Sequence, residues 1–271
     1  PDYSSSTYNN PFAMLTIQSK PNSLVYSGST TIKFQFYPYP KYATSGCVAI
    51  YNANYNTGFG SHTNGDTQWF NSVDGTDTIN KLNTTFDDNY AKLPIDDGST
   101  GNFGFVTPYL FNQIQTNSSA TFEVVFAQTV HTTGETVIMA DYESGGMGVN
   151  LRVVPPYDFY FQYYYGGYTM LYTNIETSLN TIYSISVTND VTNNRLFIYM
   201  NGNKVMDIES VNIISGPTQN TRLAIGNNPN GSSVGNAGLR GKYYCLRVYN
   251  QSLTEQQVLN NWQIDQNLYN I

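Results

Sequence analysis

The sequence predicts an all-β fold, a two-layer sandwich finished by one short helix, and three observations carry that prediction. The first is a series of short alternating strand patterns separated by turn residues, with no long helical pattern among them. The second is Asn201-Gly202, set between strand patterns at 195–200 and 204–208, because both residues tolerate the positive φ that a type I′ hairpin requires. The third is the end of the chain. Tyr244, Leu246 and Val248 alternate on one face of a strand, with Tyr243, Cys245, Arg247 and Tyr249 on the other. The chain breaks at Asn250 and restarts at Thr254, which caps a helix while Gln257 reaches back to complete a capping box. Val258, Leu259 and Trp262 then fall at helical spacing, which predicts a helix over 255–262.

At 271 residues the chain can bury a full core. Residues 1–10 are a polar run of the kind found at linking ends, and a chain that opens on Pro1 reads as a piece of a longer protein. Strand patterns at 14–18 and 31–37 are split by the turn formers Tyr26-Ser27-Gly28-Ser29 and closed by Pro38 and Pro40. This piece is too short for a core of its own, so 1–45 reads as an N-terminal extension or the tail of a preceding module. Residues 46–271 read as the sandwich. A strand at 48–52 leads into 54–111, whose Gly, Asn, Asp and Thr predict long loops with short strands. Clear strand patterns follow at 120–127, 136–141, 148–154, 158–165, 183–188, 195–200, 204–208, 222–226 and 242–249. No repeat at a solenoid or propeller period is present.

Charged residues are only 11% of the chain, and 12 basic against 19 acidic side chains give a net charge of −7. A phosphate backbone needs a Lys/Arg field that this sequence lacks, which argues against nucleic acid. No stretch approaches the roughly 20 apolar residues of a membrane-spanning helix. The polar surface is built instead from Asn, Thr, Ser, Gln and hydroxyl-bearing rings, with 24 tyrosines exceeding the 14 phenylalanines and 2 tryptophans combined. Tyr, Ser, Asn and Gly are the residues binding loops rely on, since rigid amphipathic rings and short polar groups give contact area at low entropic cost. A β-sheet's preference for aromatic residues accounts for the same composition without a ligand.

Several segments carry a family resemblance. The closing strand Gly241-Lys242-Tyr243-Tyr244-Cys245-Leu246-Arg247-Val248-Tyr249 with its following helix resembles the C-terminal signature of laminin-G-like domains in the concanavalin A-like lectin and glucanase superfamily. Tyr199-Met200-Asn201-Gly202-Asn203-Lys204-Val205 is similar to the family's hairpin, Ala224-Ile225-Gly226 to the strand after it, and Ala120-Thr121-Phe122-Glu123-Val124-Val125-Phe126 to an early core strand. The stretch from Tyr51 to His62 and Gln68-Trp69-Phe70-Asn71 resembles an opening found in tailed-phage structural proteins, although those commonly carry Asp where this chain has Asn71. The resemblance spans 46–271 and implies a concanavalin A-like jelly roll with one short C-terminal helix. It also implies recognition at an extracellular or virion surface. It brings calcium into view as a cofactor, with Asp141, Asp190, Asn227 and Asn228 as candidate ligands, although no Asp-x-Asp-x-Asp-Gly loop is present. First and last strands tend to be neighbours in such domains, so a Cys47–Cys245 bridge is conceivable, and two buried free thiols are the alternative.

Glucanases of this superfamily place three acids at alternate positions of one strand. Asp141/Glu143 and Asp207/Glu209 have that spacing, but the next alternate positions are Gly145 and Val211, so neither pair reaches the triplet. Asp87-Asp88 and Asp96-Asp97 are adjacent and point to opposite sides of an extended chain. The two histidines, His62 and His131, make no metal cluster, and no nucleophile elbow or phosphate loop is present. The expectation is a protein that is not an enzyme.

Alternation picks out one candidate surface. Asn150 and Arg152 stand opposite Val149, Leu151 and Val153, while Tyr160, Gln162 and Tyr164 stand opposite Phe159, Phe161 and Tyr163. Tyr199 stands opposite Ile198 and Met200 in the same way. If these strands share a sheet, Asn150, Arg152, Tyr160, Gln162, Tyr164 and Tyr199 form one aromatic and amide face. Rings stack on sugar faces, and amides and a guanidinium read hydroxyls. The expected function is a lectin-like module that binds glycan or a host receptor. The expected alternatives are a structural domain that packs on other virion or surface-protein chains, and an atypical glycoside hydrolase. A homo-oligomer is compatible with each.

Overall fold

A computed structural model describes residues 12–22, 27–35, 42–54, 62–63, 65–73, 78–82, 84–87, 89–93, 104–106, 118–131, 136–141, 150–154, 158–164, 168–209, 223–226 and 238–271. Its first strands are β1 (Phe12–Gln18), β2 (Ser29–Gln35), β3 (Cys47–Asn52), β4 (Gln68–Phe70), β5 (Thr78–Leu82), β6 (Thr85–Phe86), β7 (Ala91–Lys92) and β8 (Gly104–Val106). Next come β9 (Ala120–Gln128), β10 (Thr136–Asp141), β11 (Asn150–Val154), β12 (Asp158–Tyr164) and β13 (Tyr168–Glu176). The chain ends with β14 (Ile182–Asp190), β15 (Arg195–Met200), β16 (Asn203–Glu209), β17 (Leu223–Ile225), β18 (Gly241–Tyr249) and the helix α1 (Glu255–Tyr269).

Two antiparallel sheets form the sandwich. One runs β16-β15-β14-β9-β18-β7-β6, with β3 also paired to β18, and the other runs β13-β12-β11-β10-β17-β8-β5-β4. Apolar residues at alternate positions face inward from both sheets. Phe122, Val124, Phe126, Ile185, Leu196, Leu246 and Val248 of the first pack on Trp69, Phe105, Ile138, Leu151, Phe159, Phe161 and Ile225 of the second. The fold is the all-β sandwich that the alternation predicts. The β1–β2 hairpin forms a two-stranded sheet of its own, whose Leu15, Ile17, Ile32 and Phe34 are exposed. The sandwich's own contacts begin earlier than residue 46, at Tyr42 and Ala43, which bond to Asp265 and Asn261 of α1.

The outer face of the first sheet carries α1, and the helix extends seven residues beyond the expected 262. Its start follows the expected capping box, with Thr254 and Gln257 bonded reciprocally, and Asn270 ends it in the left-handed region at φ 54°. The extra turns are absent from the apolar pattern because a buried position among them, Asp265, is polar, as is the buried Asn261 just before them. Both meet a buried ionic cluster. Arg247, at 0% exposure, donates Nε to Glu123 at 2.8 Å and presents Nη1 and Nη2 to the two oxygens of Asp265, each at 2.7 Å. Burial alone would push the guanidinium down, but the charges of Asp265 and Glu123 hold it well above its ordinary value. Ser186 donates to the other oxygen of Glu123, Asn261 and Tyr42 share with Arg247 the Glu123 Oε2 and Asp265 Oδ1 atoms respectively, and the Tyr42 ring centre lies 4.3 Å from the guanidinium carbon.

The alternation expected in β18 breaks at one point. A bulge between Tyr243 and Cys245 shifts the register, so Tyr243 joins Leu246 and Val248 in the inter-sheet core while Tyr244 turns with Cys245 toward α1. Asn201 and Gly202 have φ of 51° and 75°, as the expected hairpin requires. Asn71 takes a role that an aspartate could not fill. Its Oδ1 accepts from the Ile50 N–H at 2.9 Å while its amide donates to the Val48 carbonyl at 3.0 Å, and a carboxylate has no proton for the second bond.

Cys47 and Cys245 are free and buried. Register sets Cys245 opposite Asn52 and Cys47 opposite Tyr249. Their backbones are therefore offset by roughly 13 Å along the paired strands, which does not suit a disulfide. Burial pushes the Cys245 thiol up to about 12 and raises that of Cys47 as well. Neither cysteine is expected to take iodoacetamide at pH 8 in the folded protein, and both should after unfolding in urea. Mass spectrometry of the native and unfolded chain reads the difference directly.

Candidate functional site

The candidate surface lies on the outer face of the second sheet. In β11, Leu151 and Val153 point into the core and leave Asn150 and Arg152 on the opposite face, with Asn150 itself buried. In β12, Phe159 and Phe161 point inward and leave Tyr160 outside. Register pairs Asn150 with Gln162 and Arg152 with Tyr160, so these four positions share one face, as alternation predicts. Arg152 is half-buried and donates Nε to Asn150 Oδ1 at 2.8 Å, which fixes the plane of its guanidinium. An oriented guanidinium beside an amide is a group that reads hydroxyls and carboxylates. Gln162 and Tyr164 are placed by their backbones on the same face, and their side chains lie outside the described residues.

Two of the expected members are corrected. Tyr199 belongs to β15 in the other sheet, where it is 3% exposed and packs with Val258 and Leu253 beneath α1. Burial pushes its hydroxyl up to about 12, with Glu255 and Asp207 adding to the rise. The pattern of β15 tells which side of its strand Tyr199 takes, and says nothing of which sheet that strand joins. Tyr160 is on the expected face but only 1% exposed, so the chain itself covers the ring. Period-two alternation does not report what lies over a face.

The structure adds a strand that the strand patterns at 158–165 and 183–188 leave out. β13 pairs with β12 so that Tyr172 stands opposite Tyr160, Met170 opposite Gln162 and Tyr168 opposite Tyr164. The sequence does hold its signal. Thr169, Leu171, Thr173 and Ile175 alternate with Tyr168, Met170, Tyr172 and Asn174, but hydroxyl-bearing residues on both sides blur the contrast.

Of the alternate-acid pairs, Asp207 and Glu209 lie on β16, both bound to Arg195, with Nε–Asp207 at 2.8 Å and Nη1–Glu209 at 3.1 Å. Partial desolvation would raise the Asp207 carboxyl, but its bonds to Arg195 and Lys204 hold it below the ordinary carboxylate range. The side chain of Asp141 and all of Glu143, Asp88, Asp96 and Asp97 lie outside the described residues. For calcium, both oxygens of Asp190 accept bonds from Asn193, and Asn227 and Asn228 lie outside the described residues. Among the described residues no three His, Cys, Asp or Glu side chains stand close enough to hold a metal ion. His62, within the stretch that the sequence reads as long loops, is buried and stacks on Phe86 with ring centroids 3.9 Å apart.

Comparison with known proteins bears on the same fold. Residues 97–259 match a laminin-G family model described as the concanavalin A-like lectin/glucanases superfamily. Comparison by sequence with curated proteins finds no match. Among solved structures, the chain is similar to Trypanosoma rangeli sialidase in complex with sialic acid, with a TM-score of 0.61 and 17% identity over 83% of this chain and 34% of that one. It therefore spans about a third of the sialidase. It is also similar to domain 4 of an extracellular arabinanase from Geobacillus stearothermophilus in complex with arabinotriose, with a TM-score of 0.56 and 15% identity over 81% of this chain and 99% of that one. The receptor binding domain of a botulinum neurotoxin C/D mosaic serotype gives 0.56 and 10% over 80% of this chain and 51% of that one. At such identities the likeness is one of fold.

Proposed function

We propose that this chain, which belongs to the concanavalin A-like lectin/glucanases superfamily, is a non-enzymatic lectin-like module that binds glycan at the outer surface of a virion or cell. The observation that carries the reading is the likeness to the arabinanase domain. It extends through 99% of that domain, so the unit whose shape recurs is a whole module whose own structure holds arabinotriose. The outer face of the second sheet, with Arg152 held by Asn150, is the surface assigned to the ligand. The sialidase likeness favours a hydrolase as the second reading. Against it stand the incomplete acid triplet and the ion pairs that engage Asp207 and Glu209. The ring of Tyr160, covered by the chain itself, is closed to ligand and partner alike.

The test is a glycan array probed with the chain, followed by affinity measurements on its best ligand. At least one glycan should bind and remain uncleaved. Arg152→Ala should weaken it about tenfold or more at an unchanged melting temperature, as loss of a charged hydrogen bond does. Asp207→Asn with Glu209→Gln should bind as the wild type does. Cleavage that the double variant abolishes would revive the hydrolase reading, and an array without a single ligand would favour a structural domain that packs on other chains.

A further inference from the structure

We infer that the outer edge of β13 pairs with a second copy of this chain, joining two sandwiches through one continuous sheet. Strand edges expose unpaired N–H and C=O groups, and folded proteins guard them by keeping them short, charging them or bending them. Among the described strands, four of the five edges of this sandwich are guarded in recognised ways. The outer side of β3 is bonded by the Asn71 side chain and the Ser72 N–H, which meet Ile50 and Val48. β4 has three residues and β6 two. β16 carries Lys204, Asp207 and Glu209, tied into ion pairs with Arg195 and Glu255.

β13 is the exception. It has nine residues, no proline and one charge, Glu176 at its end, and among the described strands its one neighbour is β12. Its second half is bent. Between the pairs Tyr160–Tyr172 and Asp158–Glu176, one residue of β12 is matched by three of β13. There the Thr173 hydroxyl donates to the Phe159 carbonyl at 2.8 Å and accepts from the Ile175 N–H at 3.3 Å. The regular, uncharged part is therefore residues 168–172.

A second copy fits that part because the segment is self-complementary. A two-fold axis through Met170 sets Tyr168 opposite Tyr172 of the other copy, Thr169 opposite Leu171, and Met170 opposite Met170. No like charges meet, although the whole chain carries −7, and aromatic cross-strand pairs favour such a ladder. Five paired residues are a small interface, so the dimer forms reversibly and only as concentration rises. It would carry two copies of the proposed glycan-binding face, but it does not depend on that reading.

Sedimentation equilibrium of the full chain is expected to give a weight-average mass that climbs from monomer toward dimer through the micromolar range. Met170→Lys and Met170→Glu each put like charges on the axis and should raise the dimer dissociation constant at least tenfold at an unchanged melting temperature. An equimolar mixture of the two should restore dimers, because Lys then faces Glu. Hydrogen exchange of the wild type at low and high concentration reads the same contact without a variant, with amides of 168–172 slowed in the dimer. A wild type that stays monomeric overturns the inference. So does a Met170→Lys dimer of wild-type strength, which would place the contact elsewhere, for instance on the exposed face of the β1–β2 hairpin.

Discussion

Arg247→Met is expected to lower the unfolding free energy by about 3–5 kcal/mol, because it leaves the Glu123 and Asp265 carboxylates buried without their counter-charge. Both acids are at 1% exposure or less, and Arg247 is the cation bonded to each. The cluster also joins three parts of the chain: Glu123 from β9, Arg247 from β18 and Asp265 from α1. Denaturant titration followed by circular dichroism should show the helix lost first or loosened. A second construction separates the pair's intrinsic worth from the penalty of breaking it. Replacing Arg247, Glu123 and Asp265 together by apolar residues of similar volume should recover much of the loss, since no charge is then stranded. A triple variant no more stable than Arg247→Met would mean that the network's hydrogen bonds to Tyr42, Ser186 and Asn261 carry the effect.

Trp69→Ala should cost a comparable 3–5 kcal/mol, the usual cost of emptying a large aromatic site. Trp69 is at 0% exposure and lies within 6.5 Å, ring centre to ring centre, of Tyr51, His62, Phe86, Phe105 and Tyr243. Its Nε1–H donates to the Asn52 carbonyl at 3.1 Å, so one side chain of the second sheet is bonded to a strand of the first. Trp69→Phe should keep most of the packing and lose mainly that bond, for a penalty of about 1–3 kcal/mol. Urea titration of both variants measures the gap. Equal penalties would show that the bond between the sheets, and not the volume of the ring, is what matters there.

How much of this was legible in the sequence depended on whether the signal was local. The hairpin at Asn201-Gly202 and the cap at Thr254 were readable because each is decided by a few adjacent residues. The strands with strongly apolar inner faces, such as β9 and β15, were readable for the same reason. The length of α1 was not, since Asn261 and Asp265 are buried only because Glu123 and Arg247, remote in sequence, meet them. β13 was missed because tyrosine and threonine serve on either face of a strand and leave little contrast. The candidate site divided in the same way. Asn150, Arg152, Tyr160 and Gln162 fell on one face because period two fixes sides within a hairpin. Tyr199 was misplaced because sheet membership is set by the order in which distant strands assemble. The cover over Tyr160 and the bulge that turns Tyr244 away from the core are tertiary facts with no local trace.

The bond from the Tyr42 hydroxyl to Asp265, at 2.8 Å, also says how this unit can be carried. The chain enters the sandwich and leaves it at nearly the same place. A unit built that way behaves as a cassette: it can be spliced into a surface loop of a host protein without prising the loop's ends apart, and its termini can be rejoined and reopened elsewhere with the packing intact. Genetic rearrangement could therefore move it between unrelated proteins, and the ionic cluster at the doorway would travel with it as the latch.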